Sequence, residues 1–168
     1  MAVKTFTSDY LGSLVAQARS SPRLRQNRNI HEDYADPCQR LFNAIEPGSY
    51  IQPHRHAVVP RAETMFAVRG SFVLVEFSDS GAIVGVEQFG VDDGSRRISA
   101  GVEVPPGCWH TVLAMQEGSV LLEVKAGPFD PVRPKELAPW APDESASGAA
   151  SYLEELRRAT VTELQRQA

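Results

Sequence analysis

The sequence predicts a mainly β chain: a single antiparallel β-barrel or jelly roll, with a short N-terminal helix and a C-terminal helix. Three observations carry this. Short runs rich in Val, Ile and Phe recur between Arg40 and Lys125, separated by turn residues at nearly even spacing. No helical pattern interleaves with them, which argues against an α/β sheet. The length of 168 residues fits one domain. A domain of that size buries roughly 70% of its unfolded surface and can enclose a pocket.

The elements follow in chain order. From Asp9 to about Arg19, residues Tyr10, Leu11, Leu14, Val15 and Ala18 fall at helical spacing, with Ser8 as the expected N-cap and Pro22 helping to end the helix. Strands are expected at Gln39–Ile45, Ser49–Pro53, Thr64–Val68, Ser71–Phe77, Ala82–Phe89, Ser95–Ser99, Gly101–Val104, Trp109–Met115 and Val120–Lys125. Breakers such as Glu46-Pro47-Gly48, Asp92-Asp93-Gly94 and Pro105-Pro106-Gly107 lie between them. After Gly127 the chain turns Pro-rich and then small and polar, as an arm and linker do. Ser151-x-x-Glu154 reads as a capping box before a terminal helix carrying Leu153, Leu156, Val161 and Leu164. The expected organisation is 1–36 as helix and mouth-covering segment, 37–127 as barrel, 128–150 as arm and linker, and 151–168 as helix.

Composition narrows the function classes. Net charge is −4 without a Lys/Arg cluster, so nucleic acid is not an expected partner. No stretch approaches the ~20 apolar residues of a membrane helix, and the N-terminus lacks the apolar core of a secretory signal. Two cysteines are too few for a disulfide framework, so a reducing cytoplasm is expected.

The placement of the four histidines is informative. His54 and His56 stand two apart on an expected strand, where side chains share a face and can converge on one ion. Glu63 begins the next strand, and His110 begins a later one just after Pro105-x-Gly107. Three imidazoles and a carboxylate suit one divalent transition metal, Zn or Fe first, then Mn, Ni or Cu, and leave positions for water or substrate. Each imidazole's second nitrogen then needs an acceptor, from Gln52 or a backbone carbonyl. Other residues extend the candidate site. Arg28, Asn29 and His31 form a polar cluster before the barrel, suited to closing over its mouth on an anionic substrate, with His31 as proton carrier. Gln39 and Asn43 share strand parity as polar lining. Tyr50 and Gln52 share parity with His54, which makes Tyr50 a second catalytic candidate. Glu123 and Lys125 read as a surface pair, and Trp109 as barrel packing.

Gly48 through His54-x-His56, Glu63 and Gly70 resembles the first cupin motif, and Pro105-x-Gly107-x-x-His110 the second. Six residues separate His56 from Glu63, where the cupin pattern usually has three or four. The flanks Arg28-Asn29-x-His31, Pro37-x-Gln39-Arg40-x-x-Asn43-Ala44, Pro47-Gly48-x-Tyr50, Pro53-His54-Arg55-His56, Glu123-x-Lys125-x-Gly127-Pro128 and residues 135–142 resemble WbuC-type cupin metalloproteins of the RmlC-like superfamily. That resemblance spans residues 25–143. It implies a metal-bearing barrel, a small oxygen-rich substrate such as a sugar or nucleotide-sugar, and a place in surface-polysaccharide synthesis. A metal-dependent isomerase-like enzyme is the leading expectation, a mononuclear non-haem iron dioxygenase the second, and a non-catalytic metal- or ligand-sensing module the third. A homodimer paired through sheet edges is also expected.

Overall fold

The inner and outer faces of two sheets organise the molecule. A computed structural model describes residues 3–92, 94, 98–132 and 135–167. The first sheet has the order β1-β2-β9-β4-β7, with β1 at Arg25–Asn29, β2 at Cys38–Ile45, β9 at Ser119–Ala126, β4 at Glu63–Arg69 and β7 at Gly101–Val104. The second has the order β10-β3-β8-β5-β6, with β10 at Glu136–Leu137, β3 at His54–Arg55, β8 at Trp109–Ala114, β5 at Ser71–Phe77 and β6 at Ile83–Gly90. All neighbours within the two sheets pair antiparallel. This is the expected jelly roll.

Strand alternation assigns each side chain to a layer. Inward-facing Ile45, Met65, Phe72, Leu74, Phe89, Val104, Val112, Ala114 and Leu121 fill one part of the space between the sheets. Outside the first sheet, the helix α1 (Ser8–Ser20) lays Leu11, Leu14, Val15 and Ala18 on Phe42, Ala44 and Val120. Outside the second, the helix α2 (Ala149–Gln167) lays Leu153 and Leu156 on a cluster containing Val73, Val75, Phe77, Val86 and Leu113. With both outer faces covered, the rest of the inter-sheet space is free to be polar, and the cavity lies there.

Several expected boundaries shift. Thr7, not Ser8, caps α1, its side chain accepting from the Tyr10 N–H at 3.2 Å. The helix α2 begins at Ala149, so the Ser151–Glu154 capping box does not form at its start; Ser151 donates to the Gly148 carbonyl instead. Residues 49–53 run without strand pairing, and pairing begins at His54. The strand expected at Ser95–Ser99 falls largely outside the described residues; Ser99 bridges Phe89. β1 appears where the sequence suggested only a polar cluster.

The Pro-rich segment is a strap rather than a free arm. Ala138 N–H donates to the Pro53 carbonyl at 2.9 Å, and Leu137 and Glu136 pair with His54 and Arg55. The Gln52 amide donates to the Ala138 and Ala141 carbonyls at 3.2 and 3.3 Å, and Arg55 forms a two-pronged pair with Glu136. Among the described residues no helix is long and apolar enough to cross a membrane.

Candidate metal centre and ligand cavity

Four ligand atoms from three strands and one connecting loop converge. His54 on β3 is directly opposite His110 on β8, His56 follows one residue beyond β3, and Glu63 opens β4. One ligand atom from each lies within 4.8 Å of all the others. The turn at residues 57–60 takes up the added length between His56 and Glu63 and still returns the carboxylate to the cluster.

Hydrogen bonding fixes what those atoms can do. His54 Nδ1 lies 3.1 Å from the Gln52 carbonyl and His110 Nδ1 3.0 Å from the Cys108 carbonyl. A carbonyl only accepts, so both Nδ1 atoms carry protons and both neutral rings turn an Nε2 lone pair inward. Glu63 Oε2 lies 3.2 Å from His110 Nε2 and 3.6 Å from His56 Nε2. Lone pair facing carboxylate is the arrangement a cation resolves, so the donor set fits a divalent metal. Burial, with Lys135 and His110 nearby, holds His54 well below the usual histidine range, which keeps it neutral. Burial works against the Glu63 charge, but the adjoining His110 and His56 rings and the Lys125 charge outweigh it and hold that carboxyl well below its usual range.

Beside the cluster opens a cavity of about 390 Å³, at the low end of the ~300–1,000 Å³ of small-molecule pockets. Leu41, Ile45, Met65, Val112 and Leu121 form apolar wall, and Arg23, Arg25, Asn27, Asn29, His31, Gln39 and Asn43 form polar wall. Of the expected residues, Asn29, His31, Gln39 and Asn43 therefore line the cavity. Gln39 also clips the 33–36 loop, its amide donating to the Asp36 carbonyl at 2.8 Å.

Arg28 and Tyr50 are corrections. Because β1 is a strand, Arg28 faces away from its cavity-lining neighbours Asn27 and Asn29. Its guanidinium lies along the flank of α1, donating to the Tyr10 carbonyl, Ser13 Oγ and Gln17 Oε1 at 3.0–3.1 Å. Tyr50 and His54 do not share a strand face, since residues 49–53 are unpaired. The Tyr50 hydroxyl donates to the Pro142 carbonyl at 2.8 Å, and its ring meets Tyr152 of α2.

The Glu123–Lys125 surface pair is a third correction. β9 lies inside its sheet, and both side chains point into the cavity. Lys125 Nζ sits 3.2 Å from Glu63 Oε1 and 2.6 Å from Glu123 Oε1, while Asn43 donates to Glu123 Oε2 at 3.1 Å. Burial and the Glu63 charge push the Glu123 carboxyl up to about 7, with Lys125 opposing. Burial alone would lower the Lys125 ammonium, but Glu123 and Glu63 raise it. Lys135, delivered by the strap, was not foreseen either. It lines the cavity and has no hydrogen-bond partner among the described residues. Burial lowers its ammonium from the usual range, with Arg25 and Lys125 adding to that and Glu144 and Glu63 opposing. Arg25, by contrast, is matched by Glu144 at 2.5 Å.

The family described as Domain of unknown function (DUF6016) matches residues 6–89, half of the chain. The chain belongs to that family. The match takes in α1, β1, β2 and three of the four clustered ligands, so the DUF6016 region alone lacks His110 and the strap. No curated protein matches the chain. Among solved structures, protein SO0799 from Shewanella oneidensis aligns at 18% identity and a TM-score of 0.52, covering 66% of this chain and 72% of that one. That likeness shows the fold. KdgF from a Halomonas species aligns at 12% identity and a TM-score of 0.48, covering 64% and 82%. Oxalate decarboxylase from Bacillus subtilis aligns at 20% identity and 0.47, covering 64% of this chain and 26% of that one.

Proposed function

We propose that this DUF6016 chain is a metal-dependent enzyme acting on a small, oxygen-rich anion, with one divalent transition metal held by His54, His56, Glu63 and His110. The observation that carries the reading is the inward convergence of imidazole lone pairs on a carboxylate at the wall of a ligand-sized cavity. When bound, the ion supplies Lewis acidity toward a ligand oxygen. The chain's own residues do the rest. Asn29, Asn43 and Gln39 present polar groups to ligand hydroxyls or carbonyls, and Leu41, Met65 and Val112 exclude water behind them. Lys135 brings a half-buried cation without a hydrogen-bonded acid, which selects for negative charge. Glu123 and Lys125 sit together beside Glu63, where they can hold or release a proton next to the bound ligand. That pair of titratable groups favours an enzyme over a sensing module. The sugar or nucleotide-sugar assignment and the place in surface-polysaccharide synthesis rest on the resemblance to WbuC-type cupins.

The test is metal content per chain after purification without chelator. Wild type should retain close to one ion, and His54→Ala and His110→Ala should lose most of it. Glu63→Gln should lose less, because an amide oxygen still ligates. Full occupancy in both histidine variants would refute the ligand assignment. A turnover screen of the loaded protein against sugar nucleotides and sugar acids then tests the substrate class. Turnover with iron alone, accompanied by dioxygen uptake, would move the assignment to an oxygenase.

A further inference from the structure

His31 lines the same cavity but lies well away from the metal cluster, and its environment defines a second ligand contact. The residue is 6% exposed, and its Nε2 is buried without a hydrogen-bond partner. The other ring nitrogen determines what Nε2 carries. Arg40 turns both backbone groups toward His31: its carbonyl accepts from the Ile30 N–H at 2.8 Å, and its N–H lies 3.0 Å from His31 Nδ1. The Arg40 carbonyl is already satisfied by the Ile30 N–H, whereas the Arg40 N–H has Nδ1 as its acceptor, so the tautomer that pairs both backbone groups is the one with the proton on Nε2. The alternative, a proton on Nδ1 directed at the Arg40 carbonyl 2.8 Å away, would leave the Arg40 N–H unpaired. His31 is thus opposite in tautomer to His54 and His110, whose Nδ1 atoms are the donors.

A buried donor left unpaired costs roughly 1–3 kcal/mol, and a ligand oxygen entering the cavity removes that cost. The strand register locates the contact. Gln39 pairs with Lys125, and Lys125 with Glu63, so the β1 side of the sheet lies three strand spacings from the metal carboxylate. That is about 14 Å across the strands at ~4.8 Å per spacing. Between them Gln39 and Lys125 share one rung of the sheet, with Glu123 and Asn43 bonded to each other beside it.

We infer that His31 is a fixed Nε2–H donor for an acceptor oxygen of the ligand, forming a second subsite on the β1 side of the sheet. The ligand is therefore an extended oxyanion with acceptor oxygens toward both ends, one end at the metal and the other at His31. The two-ended arrangement rests on the metal assignment above; the His31 subsite does not. His31 is a binding residue in this reading and not the proton carrier expected from sequence.

The experiment is nitrogen-15 NMR of the four histidine rings in the full chain, zinc-loaded and chelated, with excess formate as the probe. His31 should show the Nε2–H tautomer in both forms, and formate should shift its Nε2 signal. In calorimetric titration of the zinc-loaded chain with formate, His31→Asn, which keeps an acceptor where Nδ1 stood, should lose the binding event assigned to this subsite while leaving zinc content unchanged. His31→Gln returns an N–H near the Nε2 position and should restore it. An Nδ1–H tautomer, an imidazolium at neutral pH, or an unmoved His31 signal in excess formate would overturn the proposal. Absence of zinc with an intact His31 response would instead sink the metal assignment alone.

Discussion

Replacing Lys125 by Met isolates the electrostatics that hold the cavity together. The ammonium lies between two carboxylates, 3.2 Å from Glu63 and 2.6 Å from Glu123, with its side chain 13% exposed. Methionine fills most of the same volume, so the change is mainly one of charge. Removing one partner of a buried pair costs ~3–5 kcal/mol, since an uncompensated charge stays behind. The lower figure applies here, because Glu123 is already pushed up to about 7 and can take a proton. About 3 kcal/mol of lost stability is therefore expected at pH 8 in chelated protein, read as a fall in urea midpoint at unchanged slope. Adding Glu123→Gln removes the second charge while keeping an acceptor for Asn43, and should recover at least half of the loss. A Lys125→Met variant within about 1 kcal/mol of wild type would place the pair in the range of exposed ion pairs and refute the reasoning.

Other outcomes follow from the same structure. Glu123, raised from 4.5 to about 7, adds stability that is fully present below pH 4.5 and lost as pH rises through about 7; 1.36 kcal/mol per unit makes this about 3 kcal/mol. Urea unfolding of chelated protein from pH 5 to 8 should show that decline, and Glu123→Gln should flatten it; an unchanged slope in the variant would refute the attribution. Phe72→Ala removes a ring with no exposed surface that stacks on Phe89 at 5.4 Å, so thermal unfolding should report a loss of about 3–5 kcal/mol with metal content intact. Open edges at β1, β6 and β7 lead us to expect a homodimer, which light scattering would exclude by returning a monomer mass at high micromolar concentration.

What the sequence disclosed depended on whether a strand has one wet face and one dry face. The runs at β5, β7 and β8 alternate or stay apolar, and their expected bounds fall within a residue of the observed ones. β1, with Arg25, Gln26, Asn27, Arg28 and Asn29, has no apolar alternation to detect. One face lines the cavity, and Arg28 on the other bonds to α1, so tertiary partners alone make it a strand. The 49–53 segment has strand-like composition but takes its partners from strap side chains and carbonyls. The histidine cluster was legible because two imidazoles two residues apart share a direction on any extended chain. Glu123 and Lys125 have that same spacing, which cannot distinguish an outer face from a cavity wall. Only the position of β9 within the sheet decides it. Lys135 gave no signal at all, since a Pro-rich stretch carries no periodicity to orient a side chain.

The two-residue strand that offers His54 inward also holds the strap outward, through Leu137 pairing with His54 and Glu136 gripping Arg55. Any free energy by which docking tightens ion binding must return, in equal amount, as resistance of the strap to opening. A protease that cuts between residues 129 and 142 becomes a gauge of occupancy: chelated protein should be nicked there first, and loaded protein spared.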